Sequence, residues 1–533
     1  MVSAKQVIRE KQHRFTIPGI IRDRAAEHPD KAAITYQDTT LTYGELDERS
    51  NRAAQGLKAA GVEVQERVAF LEKNSIEYFD VAFGAAKLNA VTVAVNWRLA
   101  PPEILHVVND SQAKVLFVGE EFAGAVEAVE DQLTTVSKII VIGKHGSWQP
   151  YAEWIEGQDA TDPGVVPADD DVAFQLYTSG TTGLPKGAML TNANNNAIFA
   201  NQELLDQWGM NPDTVNLVCM PLFHIAGGGW AMVGLYVGAH NILLRDVDPN
   251  VILEVIPKYG VTTTLFVPAV LQFMLIMPQT AETDFSTVGT VVYGASPITE
   301  EVLRASMDML KCRFIQAYGL TETTGAICVL AAEDHDPENR PNLLRSCGKP
   351  FPWVELRVVD PDTEQDVATG EVGELWTRSG QNMKGYWNLP EATAACFTDD
   401  GWFKTGDAGF LDEEGYVYLH DRVKDMIVSG GENVYPAEIE NVLMSHPGIA
   451  DVAVVGVPDE KWGETVKAVV LRAEGSEVTS DEIVAFARER LAGYKIPRSV
   501  DFTDEPLPRN PSGKLLKRII REPYWEGVER RIH

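Results

Sequence analysis

The sequence predicts an α/β protein with a large N-terminal domain of several layered sheets and a small α+β C-terminal domain. The chain has 533 residues, which is too many for one hydrophobic core. Over roughly the first four hundred residues, short β-branched runs alternate with longer helical patterns, as in layered α/β folds. Beyond Gly401 the pattern changes to short strands punctuated by glycine, which indicates a second unit.

The strands of the large domain are predicted from runs of β-branched and aromatic residues. A helix is predicted from Tyr43 to Ala60, where apolar residues recur at helical spacing and Thr42 with Glu45 has the spacing of a capping box. Val261 to Met277 is apolar, but polar residues and Pro268 interrupt it, so a buried strand, loop and helix are expected instead of a membrane span. The predicted strands are Arg67 to Leu71, Ala90 to Val95, Val115 to Val118, Val172 to Leu176, Thr263 to Val267, Thr290 to Tyr293 and Cys312 to Ile315.

The domain boundary is predicted between Arg422 and Lys424, so that residues 1–422 form the N-terminal domain and residues 423–533 the C-terminal domain. A unit of about a hundred residues is an ordinary size for an independent domain. Thr479 and Glu482 have capping-box spacing at the start of its second helix. Its predicted elements are a helix near Pro436 to Ser445, strands around Val452 to Val457 and Thr465 to Arg472, and a helix near Asp481 to Leu491.

Composition excludes several classes of function. The formal net charge is -31, whereas a nucleic-acid binder would show a basic face. The five cysteines are far apart and form no Cys-x-x-Cys pair, so neither a disulfide framework nor a structural zinc site is expected. Met1 to Arg24 contains no continuous apolar segment of signal-peptide length, and no integral membrane segment is predicted. The reducing cytosol is therefore the expected compartment, and a homodimer is left open.

The first functional string runs from Tyr177 to Gly187, directly after a predicted strand. Its glycines let backbone N–H groups approach an anion, and its hydroxyls and lysine add donors and charge, which predicts a phosphate-binding loop. The spacing matches neither a P-loop nor a nucleophile elbow. On composition alone, a plain turn is the alternative. The candidate phosphate-binding residues are Thr178, Ser179, Gly180, Thr181, Thr182, Gly183 and Lys186.

A second string, Gln316 to Gly325, places an aromatic ring, a hydroxyl and a carboxylate close together after the strand that ends at Ile315. Tyr318 offers a ring that can stack on adenine, and Thr321 offers a donor to phosphate. Glu322 suits magnesium, a hard cation that prefers oxygen ligands. A capped helix start is the alternative interpretation of this string.

A third signal lies near the C-terminus, where Pro508 to Lys514 places one lysine after a rigid turn. Such a lysine can stabilise a carboxylate attacking a phosphate through charge, without transferring a proton. Taken alone, Lys514 would rather be one of several basic residues of a solvated tail.

Together these strings resemble the adenylate-forming superfamily, which includes acyl-CoA synthetases, firefly-type luciferases and the adenylation domains of peptide synthetases. The resemblance extends from about Thr42 to Arg518. It implies that residues 1–422 are the adenylation domain, with Tyr318 beside adenine, Thr321 beside phosphate, and Glu322 with Thr181 on Mg²⁺. It further implies nucleotide contacts for Gly294, Ala295, Ser296, Gln316, Ala317 and Gly319.

Further motifs match the same family. Thr405-Gly406-Asp407 resembles its Thr-Gly-Asp, which implies that Asp407 binds the ribose hydroxyls. The string Asp421 to Asp425 resembles its hinge motif, with Arg422 at the ribose or phosphate and Lys424 as the hinge. Lys514 matches its catalytic lysine. Because ATP, pyrophosphate and coenzyme A are polyanions, their sites must be locally rich in positive charge or N–H groups in this acidic chain.

The family makes its products in two conformations. The resemblance implies that the small domain rotates about the hinge after the adenylate has formed, so that Lys514 leaves and another face brings the thiol. Pyrophosphate release is the expected trigger, because a ligand shifts such an equilibrium only through differential contacts. The resemblance implies that this face contacts coenzyme A through Gly430, Gly431, Glu432 and Asn433, with Trp462 stacking on its adenine. A half-buried packing role is the alternative for Trp462.

Three classes share this chemistry: a CoA ligase, a loading enzyme for a carrier protein, and a luciferase-like oxidoreductase. The string Ser429 to Glu440 resembles acyl- and aryl-CoA ligases, and no carrier domain follows His533, so a stand-alone CoA ligase is predicted. Light emission with a luciferin and oxygen would identify a luciferase.

The acid is predicted to be a hydrophobic monocarboxylate, with a medium- or long-chain fatty acid first and an aryl, cinnamic-type or steroid side-chain acid second. Family acyl pockets form after His224, which is either a gate residue or a core histidine. The glycines Gly227, Gly228 and Gly229 either open a tunnel for the acyl group or permit tight backbone packing. No Asp or Arg is obviously placed to hold an amino group or a second carboxylate.

Overall fold

The computed structural model describes residues 16–178, 185–199, 201–296, 298–361, 363–422, 425–429, 432–459, 463–491, 493–509 and 515–526. Within these ranges the chain forms four β-sheets, here called sheets A to D, and the helices that cover them. The α/β class predicted from the sequence is confirmed.

Sheet A has nine strands in the described residues. They are β1 (Ala32–Tyr36), β2 (Thr39–Thr42), β10 (Val215–Val218), β11 (His240–Leu243), β12 (Thr263–Phe266), β13 (Thr290–Gly294), β14 (Arg313–Leu320), β15 (Gly325–Leu330) and β16 (Lys349–Pro350). Their order across the sheet is β16-β15-β14-β13-β12-β10-β11-β1-β2. The central strands from β1 to β14 pair in parallel, and antiparallel pairs close both edges.

Sheet B has eight described strands. They are β3 (Arg67–Leu71), β4 (Val91–Ala94), β5 (Ala113–Gly119), β6 (Lys138–Ile142), β7 (Gln149–Pro150), β8 (Val172–Thr178), β9 (Lys186–Thr191) and β19 (Gly385–Tyr386). Their order is β19-β9-β8-β4-β3-β5-β6-β7. The late strand β19 therefore extends the edge that β8 and β9 form around the phosphate-binding string.

Sheets C and D are mostly antiparallel. Sheet C, in the order β17-β18-β20-β21, contains β17 (Glu355–Val359), β18 (Gly373–Arg378), β20 (Phe403–Leu411) and β21 (Val417–Arg422). Sheet D contains β22 (Ile427–Ser429), β23 (Glu432–Val434), β24 (Ile449–Asp459), β25 (Gly463–Arg472) and β26 (Ser499–Thr503). In sheet D only β26 pairs in parallel, with β25.

The described helices follow the amphipathic patterns of the sequence. The capping boxes predicted at Thr42 and Thr479 are both formed. No described helix combines the length and the apolar character needed to span a bilayer. The helices are α1 (Ile17–Glu27), α2 (Tyr43–Ala59), α3 (Ile76–Lys87), α4 (Pro101–Asp110), α5 (Ala123–Glu127), α6 (Tyr151–Glu156), α7 (Asn192–Phe199), α8 (Gln202–Gln207), α9 (Ile225–Val237), α10 (Pro249–Tyr259), α11 (Pro268–Ile276), α12 (Glu300–Leu310), α13 (Pro390–Cys396), α14 (Pro436–Met444), α15 (Ser480–Arg488) and α16 (Lys517–Arg521).

The buried apolar side chains form separate clusters along the chain. The clusters that cover sheets A, B and C draw on residues up to Val417. Those on the two faces of sheet D begin at Ile427. None of these clusters of described residues joins the two regions, which supports the predicted boundary at Arg422 to Lys424. The boundary itself stays a prediction.

Candidate active site

Three segments converge on the carboxylate of Glu322. Strand β8 ends at Thr178, whose Oγ1 donates a hydrogen bond to Glu322 Oε1 over 3.1 Å. The hydroxyl of Tyr386, in β19, donates to the same oxygen over 2.9 Å. Glu322 lies in a short turn after β14 and is half-buried. The first string and the second string of the sequence therefore meet at this carboxylate.

The two ends of the phosphate-binding string lie side by side. Thr178 at the end of β8 pairs with Lys186 at the start of β9. The Lys186 ammonium lies 5.3 Å from the centre of the Tyr386 ring. The intervening candidates, Ser179, Gly180, Thr181, Thr182 and Gly183, lie outside the described residues.

Tyr318 and Asp407 form a buried pair between sheets A and C. The Tyr318 hydroxyl donates to Asp407 Oδ2 over 2.7 Å, although 89 positions separate them in the chain. Tyr318 is 7% exposed and Asp407 is 8% exposed. Tyr318 still belongs to β14, which runs to Leu320, so the capped helix start considered for this string is limited to one 3-10 turn with Leu320 as its N-cap. Only Thr321–Thr323 forms a 3-10 turn.

The remaining nucleotide candidates lie on the adjoining strand ends. Gly294 pairs with Ala317 across β13 and β14, and a Cβ at Gly294 would overlap the Ala317 carbonyl oxygen. A Cβ at Gly319 would similarly overlap the carbonyl oxygen of Gly325. These two glycines are therefore required by close backbone packing. Ser296 immediately follows Ala295, which has a φ of 66° in the left-handed region that L-residues rarely adopt.

Gln316 contributes an unsatisfied polar atom at the same strand ends. Its side-chain oxygen is buried and has no hydrogen-bond partner in the described part of the chain. Buried polar atoms of this kind are normally paired in folded proteins. The atom therefore fits a site that receives a polar ligand.

Residues 381–387, here called the connecting segment, fasten the Glu322 turn to sheet B. The Met383 N–H donates to the Glu322 carbonyl oxygen over 2.7 Å. The Gln381 side-chain amide donates to the carbonyls of Thr323 and Ala326 over 2.9 and 2.6 Å. The sequence offered no signal for this role, because the segment matches no ligand-binding pattern.

His224 lies at the N-terminus of α9. Its Nε2 is buried and unpaired among the described residues, and its ring centre is 4.4 Å from that of Phe223. Burial, together with the smaller effect of the positive charge of Arg98, lowers the pKa of His224 to about 4. The imidazole is therefore neutral near pH 7.

Arg98 is a cation that the sequence did not place beside the acid site. Its guanidinium lies 5.9 Å from the Phe223 ring centre and 4.2 Å from that of Trp97. Arg98 therefore lies next to Phe223, and the expectation that no Asp or Arg is placed to hold an amino group or a second carboxylate stays a prediction. The two regions are about 125 positions apart in the chain, and only the fold brings them together.

Two glycines of α9, Gly227 and Gly228, face backbone carbonyl groups. A Cβ at Gly227 would overlap the carbonyl oxygens of Met220 and Pro221, and one at Gly228 would lie 2.7 Å from the Leu222 carbonyl oxygen. For these two positions, tight packing is the interpretation that the structure supports, not the opening of a tunnel. At Gly229 a Cβ would meet only the Ile225 side chain, at 3.2 Å.

Two tryptophans pack beside α9. The ring centres of Trp230, in α9, and Trp208, after α8, are 5.7 Å apart. They are 4% and 6% exposed. Neither indole N–H has a hydrogen-bond partner in the described ranges. From the sequence, a role was considered for the glycines of this region, but none was predicted for these two rings.

Of the candidate residues from Arg422 onward, only some lie within the described residues. Arg422 pairs with Asp407 across β20 and β21, which places the backbones of these two residues opposite each other. Glu432 and Asn433 form strand β23. Arg509 and Leu515 form a β-bridge that brings the two flanks of residues 510–514 together. Lys424, Gly430, Gly431, Trp462 and Lys514 lie outside the described residues.

The donor set around Glu322 fits magnesium. No group of three or more His, Cys, Asp or Glu side chains able to hold a metal occurs in the described ranges. Mg²⁺ is usually bound by one or two carboxylates together with phosphates and water, so one suitably held glutamate is enough. Hydrogen bonds to Oε1 leave Oε2 without a partner among the described residues.

The family of the chain is shown by comparison with known proteins. Residues 21–387 match the AMP-binding enzyme family, and residues 438–514 match the AMP-binding enzyme C-terminal domain. A fatty acid–[acyl-carrier-protein] ligase, ScoC of Streptomyces coeruleorubidus, is 40% identical over 516 residues, which are 96% of each chain. The feruloyl-CoA synthase of an Amycolatopsis species is 38% identical over 94% of this chain and 97% of its own.

A solved structure agrees with this assignment. ATP-bound MatB from Rhodopseudomonas palustris superposes with a TM-score of 0.86 at 30% identity, covering 96% of this chain and 100% of that one. The chain therefore belongs to the AMP-binding enzymes of the adenylate-forming superfamily, as its motifs predicted. It is an AMP-forming acid–thiol ligase, a class whose cofactors are ATP, Mg²⁺ and coenzyme A.

Proposed function

We propose that the chain activates a hydrophobic monocarboxylate, with a medium- or long-chain fatty acid first, and transfers the acyl group to coenzyme A. The observation that supports this proposal is the apolar helix after His224. Residues Ile225–Val237 include no charged side chain, and Trp230 packs against Trp208. Such a wall favours apolar acids over amino acids and diacids.

The nucleotide is proposed to bind where β8 and β13 end and where Tyr318 of β14 meets Asp407 of β20. Tyr318 would lie beside adenine and Asp407 would accept from the ribose hydroxyls, with Arg422 at the ribose or phosphate. Asp407 Oδ2 already accepts from Tyr318, and carboxylate oxygens can accept more than one hydrogen bond. Thr321, Lys186 and the loop before Lys186 would contact the phosphates. Gly294, Ala295, Ser296, Gln316, Ala317 and Gly319 would contact the nucleotide.

Magnesium would be held by Glu322 and Thr181. When bound, the magnesium ion would neutralise part of the negative charge of the phosphates. The protein contributes the orientation of the Glu322 carboxylate through Thr178 and Tyr386. Glu432 and Asn433, with Gly430, Gly431 and Trp462, are proposed for coenzyme A.

The first step joins the acid to AMP. A carboxylate oxygen attacks the α-phosphorus, and the bond from that phosphorus to pyrophosphate breaks. Lys514 is proposed to stabilise the negative charge shared by the carboxylate and the phosphate. In the second step the thiol sulfur attacks the acyl carbon, the bond to AMP breaks, and the thiol proton is lost. The imidazole of His224 is neutral, and its Nε2 has no hydrogen-bond partner among the described residues. His224 is proposed to act as a gate residue of the acyl pocket between these steps.

The two steps are proposed to use two arrangements of residues 1–422 and 423–533, with Lys424 as the hinge. The separation of the buried clusters on either side of this hinge supports that division. Light scattering on the purified chain would decide whether it forms a homodimer.

A carrier protein is the second candidate acceptor, because the relative that is 40% identical is named a ligase of fatty acids to acyl-carrier-protein. An aryl or cinnamic-type acid is the second candidate substrate, because another relative is named a feruloyl-CoA synthase.

An acid panel tests both choices in one format. AMP release would be measured with fatty acids from short to long, cinnamic-type acids, amino acids and dicarboxylic acids, each with coenzyme A or a phosphopantetheinylated carrier protein. We expect the highest kcat/KM for a medium- or long-chain fatty acid with coenzyme A. Preference for amino or dicarboxylic acids would contradict the proposed substrate, and activity with the carrier protein alone would contradict the proposed acceptor.

A further inference from the structure

Tyr386 occupies a position that backbone hydrogen bonds hold on both sides. Strand β19 pairs with β9, so that Tyr386 lies opposite Ala188. The following Trp387 N–H donates to the Gly187 carbonyl oxygen over 2.8 Å. The Tyr386 N–H itself donates to Thr393 Oγ1 over 2.9 Å. The backbone at Tyr386 is therefore attached to β9, the strand that begins at Lys186.

The same connecting segment is also attached to the Glu322 turn. Besides the Met383 and Gln381 bonds described above, Thr324 Oγ1 donates to the Gln381 carbonyl oxygen over 2.7 Å. The distance between the Glu322 turn and β9 is thus set by residues 381–387. Tyr386 lies at the end of this segment where the two elements meet.

The Tyr386 hydroxyl constrains the orientation of the Glu322 carboxylate. It donates to Oε1, the oxygen that Thr178 Oγ1 also approaches. The terminal torsion of a glutamate is broad when nothing holds it. Two donors on one oxygen define that torsion, and they leave Oε2 open among the described residues.

The face of the same ring contacts the loop lysine. The Lys186 ammonium at 5.3 Å from the ring centre is within the range of a cation–π interaction. One tyrosine thus touches a carboxylate proposed for magnesium and a cation proposed for phosphate. These two contacts use different parts of the side chain, the hydroxyl and the ring.

We propose that Tyr386 is a positioning residue for adenylation, whose hydroxyl turns Oε2 of Glu322 toward magnesium and whose ring holds Lys186 toward the phosphates. This inference rests on the proposed role of Glu322. It adds a residue that lies outside every string from which the site was predicted. Groups that orient a metal ligand in this way typically change metal affinity about 10- to 100-fold when they are removed.

The hydroxyl and the ring can be tested separately. Tyr386→Phe removes the hydroxyl and keeps the ring, whereas Tyr386→Met removes both. ATP binding to the full chain would be followed by the rise in melting temperature, once with increasing Mg²⁺ and once with EDTA. This readout needs neither acid nor turnover.

For Tyr386→Phe we expect the Mg²⁺ concentration at half-maximal effect to rise about tenfold. The response to ATP in EDTA should change less than about twofold, because the ring still contacts Lys186. For Tyr386→Met we expect the same magnesium shift together with weaker ATP binding in EDTA. If Tyr386→Phe did not fold, Tyr386→Met would test the magnesium shift.

The matched control is Tyr416→Phe. The Tyr416 hydroxyl also donates to a carboxylate over 2.9 Å, that of Asp334, outside the site. It should leave the Mg²⁺ dependence of ATP binding unchanged.

The outcomes separate this inference from the proposed function. An unchanged Mg²⁺ dependence in Tyr386→Phe, with a wild type that responds to Mg²⁺, would overturn the positioning role alone. An equal loss of ATP binding with Mg²⁺ and with EDTA in Tyr386→Phe would also overturn it, because a merely structural effect has that form. A wild type whose ATP binding ignores Mg²⁺ would instead contradict the proposed role of Glu322.

Discussion

The nucleotide side and the acid side of the site are built in different ways. On the nucleotide side, polar candidates meet polar partners: Tyr318 donates to Asp407, and Thr178 donates to Glu322. On the acid side, His224 Nε2 and the indole N–H groups of Trp208 and Trp230 are buried with no partner in the described residues. The proposed nucleotide side therefore has more polar pairs already formed, although Gln316 Oε1 is also unpaired there, whereas the three polar groups named on the proposed acid side have no partner in the described residues.

The two sides also differ in how far their residues can be recognised from the sequence. Motif residues of the nucleotide side lie within or at the ends of paired strands, where backbone pairing places them with little freedom. On the acid side, Gly227 and Gly228 of α9 pack against backbone carbonyl groups. No sequence motif marks this packing. Changes on the nucleotide side should therefore alter catalysis, and changes on the acid side should alter stability or selectivity.

The largest expected effect is that of Lys514→Ala. Adenylation should fall by at least about 10²- to 10³-fold, because the charge that stabilises the transition state is lost. Thioester formation from supplied acyl-adenylate should stay close to wild type. Single-turnover assays of the two half-reactions measure this ratio. Arg518→Ala is the neighbouring control, and an equal fall in both half-reactions would argue against two arrangements of the domains.

Asp407→Ala should give the next largest effect. It removes a buried carboxylate that accepts from Tyr318 and, as proposed, from ribose, so the KM for ATP should rise about 10- to 100-fold. Initial rates at varied ATP measure it. Asp501→Asn, which alters another carboxylate that accepts from a tyrosine, Tyr524, is the control. An unchanged KM for ATP would mean that Asp407 is part of the fold only.

Gly227→Ala should destabilise the fold more than Gly229→Ala. At Gly227 the new Cβ overlaps backbone carbonyls, and strain of this kind costs about 1–3 kcal/mol. At Gly229 the Ile225 side chain can adjust, and Ala gains up to about 1 kcal/mol of helix propensity. Urea unfolding would compare the two variants. Equal stability would show that α9 is loosely packed and would revive the tunnel interpretation.

The smallest expected effect concerns acid pH. Because the pKa of His224 is lowered to about 4, the folded chain binds its proton less readily than the unfolded chain, and stability falls as pH drops from 6.5 toward 4. This group should remove about 1 kcal/mol between pH 6.5 and 5.5. The pKa of His335 is also lowered to about 4 by burial, so it adds to the slope.

His224→Gln tests this effect by chemical unfolding at both pH values. It should lower the pH slope of wild type and leave the His335 contribution. If the variant and the wild type had the same pH slope of the free energy of unfolding, the burial of His224 would not lower its pKa as described.

Much of the fold followed from local pattern. The predicted strands and helices agree with β3, β4, β5, β8, β12, β13, α2, α14 and α15 to within a few residues, because their apolar spacing and caps are local properties. Strand β14 extends further than predicted, since Tyr318 continues the pairing with β15. That pairing depends on residues further along the chain.

The parts of the site that the sequence did not predict are all tertiary contacts. Arg98 lies 5.9 Å from the ring centre of Phe223, and Tyr386 reaches Glu322 across 64 positions. The tryptophan pair likewise joins α9 with the end of α8. A motif indicates which chemistry its residues can perform. It does not indicate which side chains from distant parts of the sequence pack beside those residues.

The most direct test of the account is acid-dependent exchange of labelled pyrophosphate into ATP by the wild type without any thiol. Exchange measures the reversible formation of acyl-adenylate, which the nucleotide side is proposed to perform alone. We expect exchange that requires Mg²⁺ and a hydrophobic acid and that does not require coenzyme A. Exchange that appeared only with coenzyme A present, or formation of ADP instead of AMP, would contradict the account.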